Sequence, residues 1–74
     1  MATLTPEQEL SALCDAEPIL RFFSYNRLPV HLQDLPEEFA AMACRIMNLP
    51  RSAERTVALR KLLESKDAAV RAAL

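Results

Sequence analysis

Glycine is missing from this 74-residue chain altogether, and its absence removes the positive-φ loops with which P-loop and dinucleotide-binding folds cradle phosphate. Any phosphate met by the chain must be gripped by side chains or helix N-termini. Tryptophan is absent too, and three Phe and one Tyr are the only aromatics, so bulky core material is scarce. One His and two Cys, Cys14 and Cys44, offer no zinc-ligand spacing. No metal and no cofactor is therefore expected. A nucleophile and base would have to be centred on His31, and nothing in the sequence supports such a triad, so no enzymatic activity is expected.

A dominant charge is lacking as well: nine Lys or Arg stand against ten Asp or Glu, for a net charge of −1. No bulk positive field exists to attract duplex DNA or an anionic membrane, and any anion site must be local. No apolar run approaches the ~18 residues of a membrane span. The first residues lack the basic-then-apolar pattern of a signal peptide, and residence in a reducing cytosol is expected. Cys14 and Cys44 should then be reduced, small apolar residues rather than a disulfide.

What is present is helical. The stretch from Ser52 to Leu74 contains no Pro and is dense in strong helix formers. Val57, Leu59, Leu62, Leu63, Val70, Ala73 and Leu74 recur in it at spacings of three, four and seven, which predicts one helix with one buried face. Asp34-Leu-Pro-Glu37 predicts another helix start, with Asp34 as N-cap, and Pro50 forces an exit near Leu49. Phe39, Met42, Ala43 and Ile46 read as its apolar stripe, widened by Ala40, Ala41, Cys44 and Met47 into a face that suggests burial on two sides, with Phe39, Met42 and Ile46 expected to face Leu59, Leu62, Leu63 and Val70. Thr5-Pro-Glu-Gln8 predicts a capping box opening a short helix that ends before Pro18.

One domain, 1–74, is thus expected. It is all-α: a short helix over 5–16, an aromatic and Arg-rich connecting segment over 17–33, and an antiparallel helical hairpin over 34–49 and 52–74. A chain this short has a marginal core, so assembly as a homo-oligomer is expected.

Within the connecting segment, Phe22 and Phe23 read as core plugs. Tyr25, with its polar handle beside Asn26 and Arg27, either joins them or offers a stacking surface. Glu37 and Glu38 in a first turn are explained by the helix dipole. Arg60 with Glu64 and Asp67 with Arg71 read as exposed i,i+4 pairs. Lys66 interrupts the apolar stripe, and either snorkels outward at a subunit boundary or meets an anion. Arg51, Arg55, Arg60 and Lys61 gather near the start of the last helix, either as scattered surface cations or as parts of a pocket shared by two chains.

The segment Arg21-Phe-Phe-Ser-Tyr-Asn-Arg-Leu-Pro29 and the run Glu54-Arg-Thr-Val-Ala-Leu-Arg-Lys-Leu-Leu-Glu-Ser-Lys66 together resemble a family of small phage immune-evasion proteins. These are the anti-CBASS and Thoeris anti-defence sponges, which share a helical-hairpin domain. The likeness covers residues 21–74. It is carried by Phe23-Ser-Tyr25 with Pro29 and by Ala58-Leu-Arg-Lys-Leu-Leu-Glu64. The resemblance implies a non-enzymatic homo-oligomer, often a hexamer, that acts in the host cytoplasm. Such an assembly would hold cyclic di- or trinucleotides between subunits and so block CBASS-type antiviral effectors. It implies base stacking for Tyr25 and phosphate contacts for Arg55, Arg60 and Lys61. Arg27 joins these candidates by adjacency to Tyr25. The alternative expectation is a small adaptor whose hairpin docks on a host protein, with Arg and Lys as rim contacts.

Overall fold

A computed structural model describes residues 3–74 of the chain. It is 71% helical with no strand among those residues. Three α-helices, α1 (Pro6–Leu13), α2 (Asp34–Ile46) and α3 (Ala53–Ala73), are joined by two short 3-10 helices, Pro18–Phe23 and Val30–Leu32.

Each start has a local cause. At α1 the capping box closes in both directions: Gln8 N donates to Thr5 Oγ1 at 3.2 Å, and Thr5 N donates to Gln8 Oε1 at 2.9 Å. The helix stops at Leu13 rather than running to 16, and Ala16 N and Glu17 N both close on Leu13 O at 3.1 Å. Glu17 is then extended, as a residue before proline must be. At α3, Ser52 is extended and its hydroxyl accepts from Arg55 N at 3.1 Å.

The start of α2 differs from expectation. Its N-cap is Gln33, not Asp34, and no side chain caps it. The preceding 3-10 turn runs straight into the helix, with Gln33 already near the α region, so Asp34 lies inside the first turn and acts only through the dipole. Gln33 instead donates from Nε2 to Leu28 O at 2.7 Å. The far end of α2 also comes earlier, at Ile46 rather than 49. Asn48 N and Leu49 N bond back three residues, tightening the chain before Pro50.

The return from α2 to α3 is short, and His31, Leu35 and Pro36 at one end of α2 lie beside Ala69, Val70 and Ala73 at the far end of α3. The two helices are therefore antiparallel. With 21 residues at ~1.5 Å each, α3 runs nearly the full 34 Å of a slab whose Cα extents are 34 × 32 × 16 Å. The first 3-10 helix and α1 cover one face of the hairpin, and the core draws on every piece: Leu10, Leu20, Phe23, Tyr25, Ala40, Ala43, Cys44 and Leu59.

The hairpin meets along the expected stripes only in part: Leu59 is core and Phe39, Ile46, Leu62 and Leu63 pack against it, but Met42 turns outward. On α2 the buried residues are Pro36, Ala40, Ala43 and Cys44, while Met42 is 44% exposed and Phe39 and Ile46 are half-buried. On α3 only Leu59 is fully buried, Leu62, Leu63 and Val70 are half-buried, and Val57 lies on the outer face. Small side chains let α1 and α3 approach α2 closely, so its alanines hold the centre of the contact, Phe39 and Ile46 pack at its margin, and Met42 turns outward. No described residue has a positive φ, and no described helix is long and apolar enough to cross a membrane.

Candidate functional site

The segment from Arg21 to Arg27 is held by two charged side chains from different helices. Glu7 on α1 receives three hydrogen bonds: from Ser24 Oγ at 2.8 Å, Tyr25 N at 3.0 Å and Asn26 N at 3.2 Å. A carboxylate is well suited to this, since it accepts only, and charge-assisted bonds are the stronger kind. On the other side Lys66 of α3 donates from Nζ to Phe22 O at 3.0 Å and pairs with Asp67 at 3.7 Å. Lys66 is thus engaged within the chain. Its side chain is 11% exposed, and it terminates the first 3-10 helix by satisfying a carbonyl that the chain leaves open.

These two clamps decide which aromatics face inward. Phe23 is fully buried, whereas Phe22 is 56% exposed, with the Arg21 guanidinium 5.3 Å from its ring centroid. Two successive residues of a 3-10 helix point ~120° apart, so only one of the pair can plug the core. Phe22 thus departs from its expected role. It sits in a groove of about 480 Å³ whose rim includes Glu7, Ser11, Cys14, Arg21 and Arg27. Both arginines are exposed.

Tyr25 takes the first of its two expected places, in the core, and not the stacking position that the resemblance implies. It is 7% exposed and belongs to the core, so its ring offers no face for a base to stack on. Burial first, and then the negative charge of Glu37, raise its hydroxyl pKa above the ordinary value. Arg55 is similarly committed within the chain. Its Nη1 donates to Leu49 O at 3.2 Å and Met47 O at 3.4 Å, and its Nη2 lies 3.7 Å from Glu17. It caps the end of α2 and ties the hairpin turn to the start of the first 3-10 helix, with only 11% of its side chain exposed. Its guanidinium is thus engaged within the chain rather than directed at the surface. Its Nε is buried without a partner among the described residues.

Arg60 and Lys61 remain on the surface. They project from the outer face of α3, around Val57, and line a shallow depression with Ala53 and Thr56. Lys61 pairs loosely with Glu64 at 3.6 Å, both side chains being mostly exposed. The anticipated pairs Arg60 with Glu64 and Asp67 with Arg71 are not formed: Glu64 takes Lys61 and Asp67 takes Lys66. The five candidates are thus not brought together. Arg27 borders the Phe22 groove, Arg60 and Lys61 share a second surface, Tyr25 is core, and Arg55 is a structural clamp. Glu7 and Arg21 escaped notice in the sequence as site residues. Glu7 is legible only once α1 is known to lie against the segment, whereas the Arg21-Phe22 neighbourhood was visible.

Among the described residues no three His, Cys, Asp or Glu side chains converge in a way that could hold a metal. The fold and site together define a small all-α protein with two separate cationic surface patches, one of them beside an exposed aromatic. No protein-family profile, no curated protein and no solved structure matches the chain.

Proposed function

We propose that this chain is a non-enzymatic sponge that assembles with copies of itself and sequesters cyclic di- or trinucleotide messengers intact, keeping them from CBASS-type antiviral effectors of a phage host. The resemblance over residues 21–74 motivates this reading. The observation that carries it is the Phe22 groove, where an exposed ring and two guanidiniums, Arg21 and Arg27, border one concavity. A ring of phosphates and bases asks for that combination: flat apolar surface for the bases and planar cations for the phosphates. Stacking then falls to Phe22 rather than to Tyr25, which serves as the internal anchor of the segment. Arg60 and Lys61 line a different surface of the same chain, so a ligand that uses both patches is held between subunits.

Isothermal calorimetry against a panel of cyclic di- and trinucleotides tests this. Tight binding is expected, with unchanged nucleotide recovered after the complex is denatured. Arg27→Ala should weaken affinity about tenfold to a hundredfold, the range for losing one hydrogen bond to a charged group. The absence of heat with every member of the panel would sink the proposal, and recovery of cleaved nucleotide would replace the sponge with a hydrolase.

A second reading draws on Val57, which is 48% exposed amid Ala53, Thr56, Arg60 and Lys61. An apolar centre with a cationic rim suits a protein-docking adaptor. A stoichiometric protein partner lost on Val57→Asp, and indifferent to nucleotide, would favour it.

A further inference from the structure

Helix α2 carries a second apolar row beside the one that it buries. Leu35, Phe39, Met42, Ile46 and Leu49 follow one another at alternating steps of four and three, the last of them in the turn just after the helix. Leu35, Met42 and Leu49 are 45%, 44% and 53% exposed, and Phe39 and Ile46 are half-buried. This is the narrow seam of a coiled-coil helix, which buries such a row only against another helix. The chain covers this row only along one edge: Phe39 and Ile46 pack in part against the core beside Pro36, Ala40, Ala43 and Cys44, whereas Leu35, Met42 and Leu49 are left open.

The charges beside the seam say what fits it. On its open flank lie Glu38 and, two turns later, Arg45, both exposed, and neither enters an ion pair among the described residues. The other flank is Pro36 and Ala43, already buried within the chain. Antiparallel helices bring like flanks together, so a second copy running the opposite way sets Glu38 against Arg45 twice, once on each side of a two-fold axis. A parallel pairing would set each charge against a residue that the chain has already buried.

We propose that this seam is an isologous, antiparallel interface between α2 and the α2 of a second copy. Leu35 packs there against Ile46, and Phe39 against Met42, with two Glu38–Arg45 pairs closing the open flank. The pairing deepens the proposed function, because it rests on that reading's self-association, though not on its ligand.

Sedimentation equilibrium on the full chain is the test. The mass should be an even multiple of 8.3 kDa, and Met42→Glu should halve it or reduce it to the monomer. Glu38→Arg alone and Arg45→Glu alone should each weaken pairing about tenfold by setting like charges together, and the two combined should restore it. Retained helical circular dichroism separates loss of pairing from loss of folding, and the two charge variants leave the core untouched. A monomer at every concentration, an unchanged mass in Met42→Glu, or a double variant as weak as the singles would each overturn the proposal. Calorimetry with the same samples keeps the two readings apart: assembly without nucleotide heat defeats the sponge alone, and a monomer defeats the seam.

Discussion

The two sides of α2 are built from opposite materials. The buried side offers Pro36, Ala40, Ala43 and Cys44, and the more open side offers Leu35 and Met42, both exposed, with Phe39 and Ile46 packed against the core only in part. The larger residues have more to gain from burial by area, yet the small ones hold the centre. The reason is crowding. Helix α2 is contacted by α1, α3 and both 3-10 helices, and only short side chains allow elements to approach from two directions at once. Burial in a chain this small follows the distance between backbones before it follows the size of the side chain.

That contrast can be broken most severely at its partner across the core. Leu59 is fully buried and is the one such residue on α3, so Leu59→Ala should cost ~2 to 5 kcal/mol in urea unfolding. Next is the small-residue side itself: Ala43→Leu should lose ~1 to 3 kcal/mol through overpacking. Met42→Gln on the open side should move the unfolding of the dilute chain by less than ~0.5 kcal/mol. Equal losses at positions 42 and 43 would erase the distinction between the two sides. Ser52→Ala, remote from both, should cost ~1 kcal/mol by removing the cap of α3.

A further expected effect is one of pH. Burial first, and then the Glu9 carboxylate, push the Cys44 thiol from 9.0 up to about 11. The folded chain thus keeps its proton where the unfolded chain has lost it. The resulting stabilisation is complete below pH 9 and lost as pH rises through about 11. Tyr25, also raised, adds to the loss in the same direction. Urea midpoints across that window should fall less steeply in Cys44→Ala than in the parent chain, and identical slopes would refute the assignment.

The parts of this fold written in short-range code were legible. Thr5 with Gln8, and Ser52 with the amide of Arg55, are caps made between residues three apart, and the all-α class follows from composition and period. The misreadings were long-range. Asp34 looked like a cap because the 3-10 turn before it leaves no mark in a sequence. Met42 looked like core because periodicity finds apolar rows without saying which of two adjacent rows turns inward. Tyr25 could be read either way, and Arg55 as available, because the residues that hold them, Glu7 on the Tyr25 amide and Glu17 on the Arg55 guanidinium, lie 18 and 38 positions away in the chain. Arg27, Arg60 and Lys61 stayed exposed for the converse reason, since no other element comes near enough to claim them.

A backbone confined to negative φ at every described residue has a practical meaning for mutagenesis. Nowhere does the main chain depend on a conformation that a Cβ atom would resist, so an alanine scan charges nothing for left-handed geometry. Apart from the prolines and a residue's own helix preference, each change reports on the side chain removed, and the scan maps contacts rather than contortions.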